Sequence, residues 1–354
     1  MSFKQYTALD IPTIATIRRI KKPYTAVSLF AGCGGASLGL RLSGFRMLYA
    51  SEWSPTSAAI YKANSEGSTI LDGRDVREIQ PKEILKQIGL KRGQLDYLDA
   101  SPPCSLFSRA GLLPAAAGAY NRERLQKNGE TQTVDDLFPQ AIRILDGLLP
   151  RVCVMENVVG ITSRKFSGYL LEAIRGIEAV GYRVKVGIID ASRLGVPQAR
   201  RRAIIVCVRK DLKVDPIFPE PYSRGSLTVR EAFPNINAVW VTNPKGSLWR
   251  SPDAPGPTII ASDFSKKNIE FTFSSGGGFY RDVKGHVHKY TLTELLKYFG
   301  FPADFCFDAT YEKNNKVRKV SKGDAWYAVG MSHVPLSVYN IASTIREQIL
   351  ERVK

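Results

Sequence analysis

Short apolar runs alternate with segments of helical periodicity between residues 24 and 209 of the 354-residue chain. Buried strands are predicted at Tyr24–Phe30, Phe45–Ser51, Gln94–Asp99, Val152–Met155, Tyr182–Ile189 and Arg202–Val208. Helices are predicted between several of these strands, at Thr56–Asn64, Leu137–Leu149 and Gly168–Val180. This alternation predicts an α/β fold with a doubly wound, mostly parallel sheet, which binds its ligands at the carboxyl ends of the strands.

The pattern changes after residue 209, where frequent prolines and short aromatic runs predict irregular β structure and loops. We therefore expect a first domain over residues 24–209 and a second, smaller domain with its hinge over residues 210–324. The segment Thr291–Gly300 has the pattern of a capped helix that ends in glycine. A C-terminal helix in residues 325–354, with its helical pattern over Pro335–Arg352, is expected to complete the first domain, and residues 1–23 form an N-terminal extension.

The chain carries 50 Lys and Arg against 33 Asp and Glu, a formal net charge of +17. This excess favours a polyanionic partner such as nucleic acid, although a solvated basic surface has the same composition. The sequence has no apolar run of about 18 residues, which a membrane span requires, and its N-terminus lacks the apolar region of a signal peptide. These features predict a cytoplasmic, nucleoid-associated protein.

Metal and disulfide chemistry find no support in the sequence. The cysteines at positions 33, 104, 153, 207 and 306 never pair at CxxC spacing, and their odd number argues against a disulfide framework. His286, His288 and His333 come late in the chain and without nearby thiols. We therefore expect neither a structural zinc site nor a metal cofactor.

The turn Phe30–Gly39 lies between a predicted strand and a helix, and its glycines let the backbone approach a ligand closely. Glu52 comes at the end of the next strand, where a carboxylate can accept hydrogen bonds from both hydroxyls of a ribose. Trp53 can stack on adenine, and Asp75–Val76 can contact the edge of the base. Together these residues predict a cofactor that contains adenosine. A tight turn without a ligand is the alternative.

Two further strand ends offer reactive side chains. The segment Ser101–Ser108 places Cys104 after two prolines that stiffen the approach of the thiol, and Glu156 ends another apolar strand at the same sheet edge. Arg200 and Arg202 precede the last strand on one side of it, a position from which arginines clamp phosphates or carboxylates. A buried inert cysteine and a carboxylate that caps a surface strand are the structural alternatives.

The order of these motifs resembles the DNA cytosine-5 methyltransferase family. The motifs SLFAGCGG, SEW, RDV, SPPCSLFS, MENV, QARRR and LTELLKYFGFP, followed by a late Val-Pro pair, reproduce that family's succession from residue 27 to about residue 345. The resemblance implies a catalytic domain that binds S-adenosylmethionine, a small target-recognition domain, and a C-terminal helix that returns to the first domain. The segment Pro255–Thr258 resembles the end of the family's variable recognition region.

The resemblance also implies a role for each motif residue. Carbon 5 of cytosine is too electron-poor to attack a methyl sulfonium, so Cys104 would first add to carbon 6 of a flipped-out base. Glu156 would give N3 of the ring a proton or a strong hydrogen bond. Arg200 and Arg202 would orient the base and lower the free-energy cost of forming the thiolate. The residues implied for the cofactor are Phe30, Gly32, Cys33, Gly34, Gly35, Glu52, Trp53, Asp75, Val76, Pro103, Leu137 and Ser332.

Four sites depart from the family pattern: Ser28 replaces a frequent aspartate, Ser105 the usual glutamine and Ser332 the usual asparagine, and Thr293–Glu294 lacks the arginine common in that helix. The expected substrate is a specific sequence in double-stranded DNA, read by residues 210–290 of a monomer that works beside a cognate restriction endonuclease. A tRNA cytosine-5 methyltransferase of the same fold and a catalytically silent DNA-binding homologue are the alternatives. Residues 109–135 are expected to form either a mobile loop over the flipped base or an ordered connection.

Overall fold

The computed structural model describes residues 3–103, 123–125, 131–133, 137–243, 246–259 and 278–353. The helices are α1 (Ile14–Arg19), α2 (Gly35–Leu42), α3 (Pro55–Asn64), α4 (Pro81–Ile88), α5 (Leu137–Leu148), α6 (Ser167–Val180), α7 (Val229–Ala232), α8 (Leu292–Phe299), α9 (Lys322–Met331) and α10 (Pro335–Ile345). The strands are β1 (Tyr24–Leu29), β2 (Phe45–Ser51), β3 (Ile70–Asp72), β4 (Tyr97–Ala100), β5 (Glu123–Leu125), β6 (Thr131–Thr133), β7 (Val152–Val158), β8 (Tyr182–Asp190), β9 (Arg201–Arg209), β10 (Ile236–Asn243), β11 (Gly246–Arg250), β12 (Phe279–Asp282), β13 (Val287–Lys289), β14 (Thr310–Lys313) and β15 (Lys316–Lys319). Within the described ranges, none of these helices has the length and apolar content that a bilayer crossing needs.

The central sheet has seven strands in the order β3-β2-β1-β4-β7-β9-β8. Strand β1 pairs in parallel with β2 and β4, β2 with β3, and β4 with β7. The chain adds strands outward from β1 toward one edge and then, from β4, toward the other edge. This reversal leaves a crevice between β1 and β4, at the carboxyl ends of the strands, where α/β proteins bind ligands. The predicted doubly wound, mostly parallel sheet is confirmed.

Helices cover both faces of this sheet because successive strand residues point to opposite sides. In β1, Val27 and Leu29 are fully buried in one apolar cluster with residues of α4, α5 and α6. Ala26 lies on the opposite face, in a second cluster with residues of α2 and α10. The chain therefore buries near-continuous apolar strands between two helical layers.

Strand β9 departs from the parallel pairing of the central sheet. It runs antiparallel to both of its neighbours, β7 and β8. A parallel return needs a crossover of roughly a dozen residues or more, usually with a helix. The connection after β8 holds only the short 3₁₀ turn Ala191–Leu194 and a brief loop, so β9 folds back beside β8. As a result Arg202, near the start of β9, lies opposite Val158 at the end of β7.

The second region contains an antiparallel sheet in the order β11-β10-β12-β13. Its strands lie on both sides of Pro255–Thr258 in the chain, so this segment does not end the region. It returns instead to the first region, where Ala199 N–H donates to Gly256 O at 2.8 Å and Gly256 N–H donates to Pro197 O at 2.9 Å. Only glycine fits here, because a Cβ on Gly256 would clash with the hydroxyl of Tyr298.

The C-terminal segment forms two helices: α10 begins at Pro335 as its pattern predicts, whereas α9 is not indicated by the sequence. Ser332 and Val334 between them have extended backbone, with ψ angles of 150° and 118°. A residue before proline avoids the helical region, so Pro335 begins a new helix instead of continuing α9. The predicted return to the first region is nevertheless present: α10 packs beside α2 so closely that a Cβ on Gly39 would clash with the carbonyl oxygen of Pro335.

The N-terminal extension is fastened to the rest of the chain. The hydroxyl of Tyr339 donates to Lys4 O at 2.7 Å, and that of Tyr222 donates to Tyr6 O at 2.9 Å. Ile17 of α1 is buried in an apolar cluster that also holds residues of α2, β10 and α8. Because this cluster continues from one region to the next, the domain boundaries at residues 209 and 324 stay a prediction.

Shortening Ile17 tests whether the extension contributes to stability. Ile17 is 1% exposed, so Ile17→Val removes a buried methyl group and is expected to lower the free energy of unfolding by about 1 kcal/mol. Urea denaturation measures the change. The matched control is Leu9→Val in the same extension, where the side chain is 49% exposed and should leave the midpoint unchanged. Equal midpoints for wild type and Ile17→Val would contradict a packed extension.

Candidate active site

A cavity of about 250 Å³ lies at the crevice between β1 and β4. Its walls come from the turns that follow β1, β2, β3 and β4 and from β7, together with residues of α9 and the segment after it. Most of the residues implied for the cofactor line it, namely Phe30, Gly32, Glu52, Trp53, Asp75, Val76, Pro103, Leu137 and Ser332. Glu156 lines it as well. The structure therefore brings most of the predicted cofactor residues and one predicted catalytic residue to a single site.

The turn after β1 has an unusual backbone. Phe30 has a φ of 57°, in the left-handed region that costs a residue with a side chain about 1–2 kcal/mol. Gly32 and Gly34 also have positive φ values, of 56° and 97°, which glycine adopts without strain. The turn leads into α2 and directs the Gly32 N–H toward the Glu52 carboxylate, 2.7 Å away.

Glu52 is held in place by the backbone. One carboxylate oxygen accepts the Gly32 N–H, and the other accepts the Ser54 N–H at 2.8 Å. Burial raises the pKa of Glu52, while these two hydrogen bonds oppose the rise. Each oxygen keeps a further lone pair, so a fixed carboxylate lines the cavity and can accept hydrogen bonds from a ligand.

Asp75 and Val76 occupy the turn after β3. The Asp75 carboxylate pairs with the Arg77 guanidinium at 2.7 Å and accepts the Arg77 N–H at 3.0 Å. Val76 is buried, and the Arg143 guanidinium donates to its carbonyl oxygen at 2.9 Å. These contacts fix an acceptor and an apolar side chain at the wall of the cavity.

Cys33, Gly34 and Gly35 do not line the cavity. The Cys33 thiol is fully buried behind the turn, 3.5 Å from Ala328 O, and burial raises its pKa to about 12. Gly35 faces the C-terminal segment, and a Cβ there would clash with the side chain of Ser332. These residues shape the turn and admit the segment after α9, and their implied contacts with the cofactor stay a prediction.

Glu156 and Arg202 form an ion pair at the edge of the cavity. The Arg202 Nε lies 2.8 Å from a Glu156 carboxylate oxygen, and the two side chains are only 18% and 13% exposed. The antiparallel course of β9 brings the arginine to this position. A partly buried pair of this kind fixes the direction in which the Glu156 carboxylate points.

The segment that leads to Cys104 is anchored from β7. The buried side-chain amide of Asn157 donates to Pro102 O at 3.3 Å, and its own oxygen accepts the Val158 N–H at 2.9 Å. Pro103, the next residue, lines the cavity. Cys104 and Ser105 lie outside the described residues, as does most of the predicted loop 109–135, of which β5 and β6 form an antiparallel pair.

Arg200 takes a different position from Arg202. Its guanidinium is buried and donates to Gly330 O at 3.3 Å and to Ser332 O at 3.1 Å. It also stacks over the Phe299 ring, 5.3 Å from the ring centroid. Arg200 does not line the main cavity; it holds the end of α9 against it, so the geometry supports a positioning role for this residue.

Ser28 is satisfied without the aspartate that is frequent there in the family. Its hydroxyl donates to the Asp99 carboxylate at 2.7 Å, inside the sheet. Burial raises the pKa of Asp99 to about 7, and the nearby Glu156 charge adds to the rise. A carboxyl group therefore lies close behind the strand ends, supplied by β4 instead of β1.

Tyr327, Met331 and His333 also line the cavity, and the sequence does not indicate them. They come from the end of α9 and the segment after it, far along the chain from the glycine turn. The imidazole Nδ1 of His333 is buried and has no hydrogen-bond partner among the residues that the structure describes. Burial lowers the pKa of His333 to about 4; the Glu156 charge opposes this shift, and the charges of Arg200 and Arg202 add to it.

The lowered pKa of His333 predicts a loss of stability in acid. Between about pH 6.5 and pH 4 the unfolded chain protonates this histidine and the folded chain does not, so the free energy of unfolding falls as the pH falls. The effect is at most about 3 kcal/mol. His333→Gln should therefore lose less stability than wild type between pH 7 and pH 4.5 in urea denaturation. Equal losses in wild type and His333→Gln would contradict a neutral buried imidazole.

Comparison with known proteins identifies the family of the chain. The family model for C-5 cytosine-specific DNA methylase matches residues 24–245. The type II methyltransferase M.NgoPII of Neisseria gonorrhoeae is 30% identical over 92% of this chain and 96% of its own length. A solved structure of a prophage-encoded Escherichia coli protein, described as a DNA modification methyltransferase, has a TM-score of 0.64 at 18% identity and covers 93% of this chain and 99% of that one.

A crystal structure of DNMT2 from Spodoptera frugiperda, in a mutant form, has a TM-score of 0.62 at 16% identity and covers 91% of this chain and 98% of its own. These two solved structures share the fold. The family model covers more than half of the chain, and M.NgoPII aligns over nearly the full length of both proteins. The chain belongs to the C-5 cytosine-specific DNA methylase family and is a DNA cytosine-5 methyltransferase of the restriction-modification type.

Proposed function

We propose that the enzyme transfers a methyl group from S-adenosylmethionine to carbon 5 of a cytosine flipped out of a specific duplex sequence, through a Cys104 adduct at carbon 6. The observation that carries this proposal is the meeting of three features at one cavity. These are the fixed Glu52 carboxylate, the Glu156–Arg202 pair, and Pro103, which directly precedes Cys104.

The residues around the cavity fit S-adenosylmethionine. Glu52 offers acceptors for a ribose diol, and Trp53 and Val76 offer apolar surface for adenine. The Ser101 hydroxyl lines the cavity, is buried, and has no hydrogen-bond partner among the described side chains and backbone, so it is available to a polar group of a ligand. When bound, the cofactor supplies an electrophilic methyl group. Pro103, Leu137 and Ser332 complete the wall.

The protein's own residues prepare the base. The Cys104 thiolate adds to carbon 6 of cytosine, which makes carbon 5 an enamine carbon and therefore nucleophilic. Glu156 gives N3 a proton or a strong hydrogen bond as negative charge moves onto the ring, and Arg202 holds the carboxylate in place. After methylation a base removes the proton from carbon 5, the carbon–sulfur bond breaks, and the thiolate is regenerated.

The reaction can take place on double-stranded DNA only if the target cytosine is flipped out of the base stack. Attack on carbon 6 comes from the face of the ring, so the cytosine must be extruded, at a cost of a few kcal/mol. The net charge of +17 favours binding of the phosphate backbone, and residues 210–290 are the proposed reader of the sequence. We infer that the enzyme acts on DNA as a monomer. We also infer a cognate restriction endonuclease, because the similar protein M.NgoPII is a type II methyltransferase.

Methylation of genomic-complexity DNA tests the proposal. The purified chain is incubated with tritiated S-adenosylmethionine and either bacterial genomic DNA or total tRNA, and methylated cytosines are then mapped by bisulfite sequencing. We expect label in DNA at carbon 5 of one short recurring sequence. Label in tRNA alone would move the substrate to RNA, and binding of DNA without label in either substrate would support the catalytically silent homologue.

Glu52→Gln tests the cofactor assignment. The amide cannot accept hydrogen bonds at both positions, so affinity for S-adenosylmethionine should fall by roughly 10-fold to 100-fold, the loss of one or two charge-assisted bonds. Isothermal titration calorimetry measures the dissociation constant. The control is Glu172→Gln, at an exposed glutamate of α6 that does not line the cavity. Equal affinities for wild type and Glu52→Gln would remove Glu52 from the cofactor site.

A further inference from the structure

The β12–β13 hairpin of the second region gathers Asp282, His286 and His288 at its tip. Tyr280 and His288 are directly opposite each other in the antiparallel ladder, so Asp282 and His286 lie one step further along the same face. Gly285, with a φ of 91°, closes the turn, and its N–H donates to Asp282 O at 3.0 Å. Neighbouring positions on one face thus bring two imidazoles and a carboxylate together.

Two of the separations between the donor atoms of these side chains are close to those of a tetrahedral metal site. One Asp282 oxygen, Oδ2, lies 2.9 Å from His288 Nε2 and 3.5 Å from His286 Nδ1, and all the donor atoms lie within 4.8 Å of one another. Ligands at about 2.0–2.1 Å from a zinc ion stand roughly 3.4 Å apart at tetrahedral angles. A small movement of the rings is therefore enough to place an ion between them.

Two sets of contacts orient these donors before any ion binds. The other Asp282 oxygen, Oδ1, accepts the N–H groups of Lys284 and His286, each at 2.9 Å, which directs Oδ2 toward the imidazoles. The His288 ring stacks on Tyr280, with 5.2 Å between ring centroids. Orientation of first ligands by such outer contacts is a regular feature of protein metal sites.

We propose that Asp282, His286 and His288 bind a zinc ion that fastens the tip of the β12–β13 hairpin. Two imidazoles and one carboxylate suit zinc and similar transition metals, whereas magnesium and calcium prefer oxygen ligands. Water takes the fourth position, because the side chains of His286 and His288 are 70% and 43% exposed. None of the three residues lines the cofactor cavity, so the ion has a structural task in the proposed recognition region.

Zinc binding by the full-length, metal-stripped enzyme tests this proposal. In competition with a chromophoric chelator, wild type should bind one zinc ion that His286→Ala and His288→Ala each bind at least 10-fold more weakly. The matched control is Lys284→Ala, which changes the same turn without removing a donor. Cys306→Ser controls for zinc held by the partly exposed thiol and should bind as wild type does.

A second readout separates a structural ion from incidental surface binding. Zinc should raise the melting temperature of wild type and of Lys284→Ala, and it should leave that of His288→Ala unchanged, because an ion that binds only the folded state stabilises it. Magnesium should have no effect on any of them. Equal zinc affinity in wild type and both histidine variants, or equal stabilisation by zinc and magnesium, would overturn the proposal.

Discussion

Cys104→Ala is expected to abolish methyl transfer, with at least a 10⁴-fold loss of kcat. Without the thiol no covalent bond forms at carbon 6, and carbon 5 stays too electron-poor to react. Cys104 directly follows Pro103, which lines the cavity, and the side chain of Asn157 anchors Pro102. Single-turnover assays with labelled S-adenosylmethionine and a methylatable DNA measure the rate.

The control for Cys104→Ala is Cys33→Ala, which removes the cysteine of the glycine turn after β1. Its thiol is fully buried and burial raises its pKa to about 12, so it is unsuited to attack a base. Cys33→Ala should keep kcat within a few-fold of wild type. The roles assigned here would be wrong if Cys104→Ala retained wild-type turnover, or if Cys33→Ala alone abolished it.

Glu156→Gln is expected to lower kcat by about 10²–10⁴-fold, the range of a lost general acid, with a smaller change in KM for DNA. Glutamine keeps the shape of the side chain and can still donate a hydrogen bond, but it carries no transferable proton and loses the ion pair with Arg202. The deficit should therefore appear in the chemical step. Rapid-quench measurement of the first turnover separates this step from product release.

Glu172→Gln provides the comparison for Glu156→Gln. Glu172 is an exposed residue of α6 that does not line the cavity. The Glu172→Gln enzyme should therefore have the kcat of wild type. A Glu156→Gln enzyme with normal first-turnover rate and only a raised KM would assign Glu156 to binding instead of proton transfer.

Local signals in the sequence were sufficient for most elements of the fold. The strand from Tyr24 and the helix ending at Val180 are found within a residue of their predicted limits, because apolar runs and periodicity specify them directly. The helix α8 has the capping box of Thr291 with Glu294 and ends at Gly300 in the left-handed conformation, as its pattern predicts.

The features that the sequence did not indicate depend on contacts between distant segments. The direction of β9 follows from a short connection, and the residues after α9 reach the cavity only because Gly35 and Gly39 admit them. For this reason His333 escaped prediction although it lines the site. The cluster of Asp282, His286 and His288 likewise depends on the register of the β12–β13 hairpin. It contains no cysteine, so the spacing of cysteines in the sequence does not indicate it.

Covalent trapping on DNA that carries 5-fluorocytosine tests the central claim most directly. Fluorine cannot leave carbon 5 as a cation, so an enzyme that adds its thiol to carbon 6 and methylates the ring stalls as a stable protein–DNA adduct. We expect wild type to form this adduct on DNA containing its recognition sequence only when S-adenosylmethionine is present, and Cys104→Ala to form none. An adduct of equal yield with Cys104→Ala, or a wild-type enzyme that methylates ordinary DNA yet never stalls on the fluorinated duplex, would contradict the mechanism.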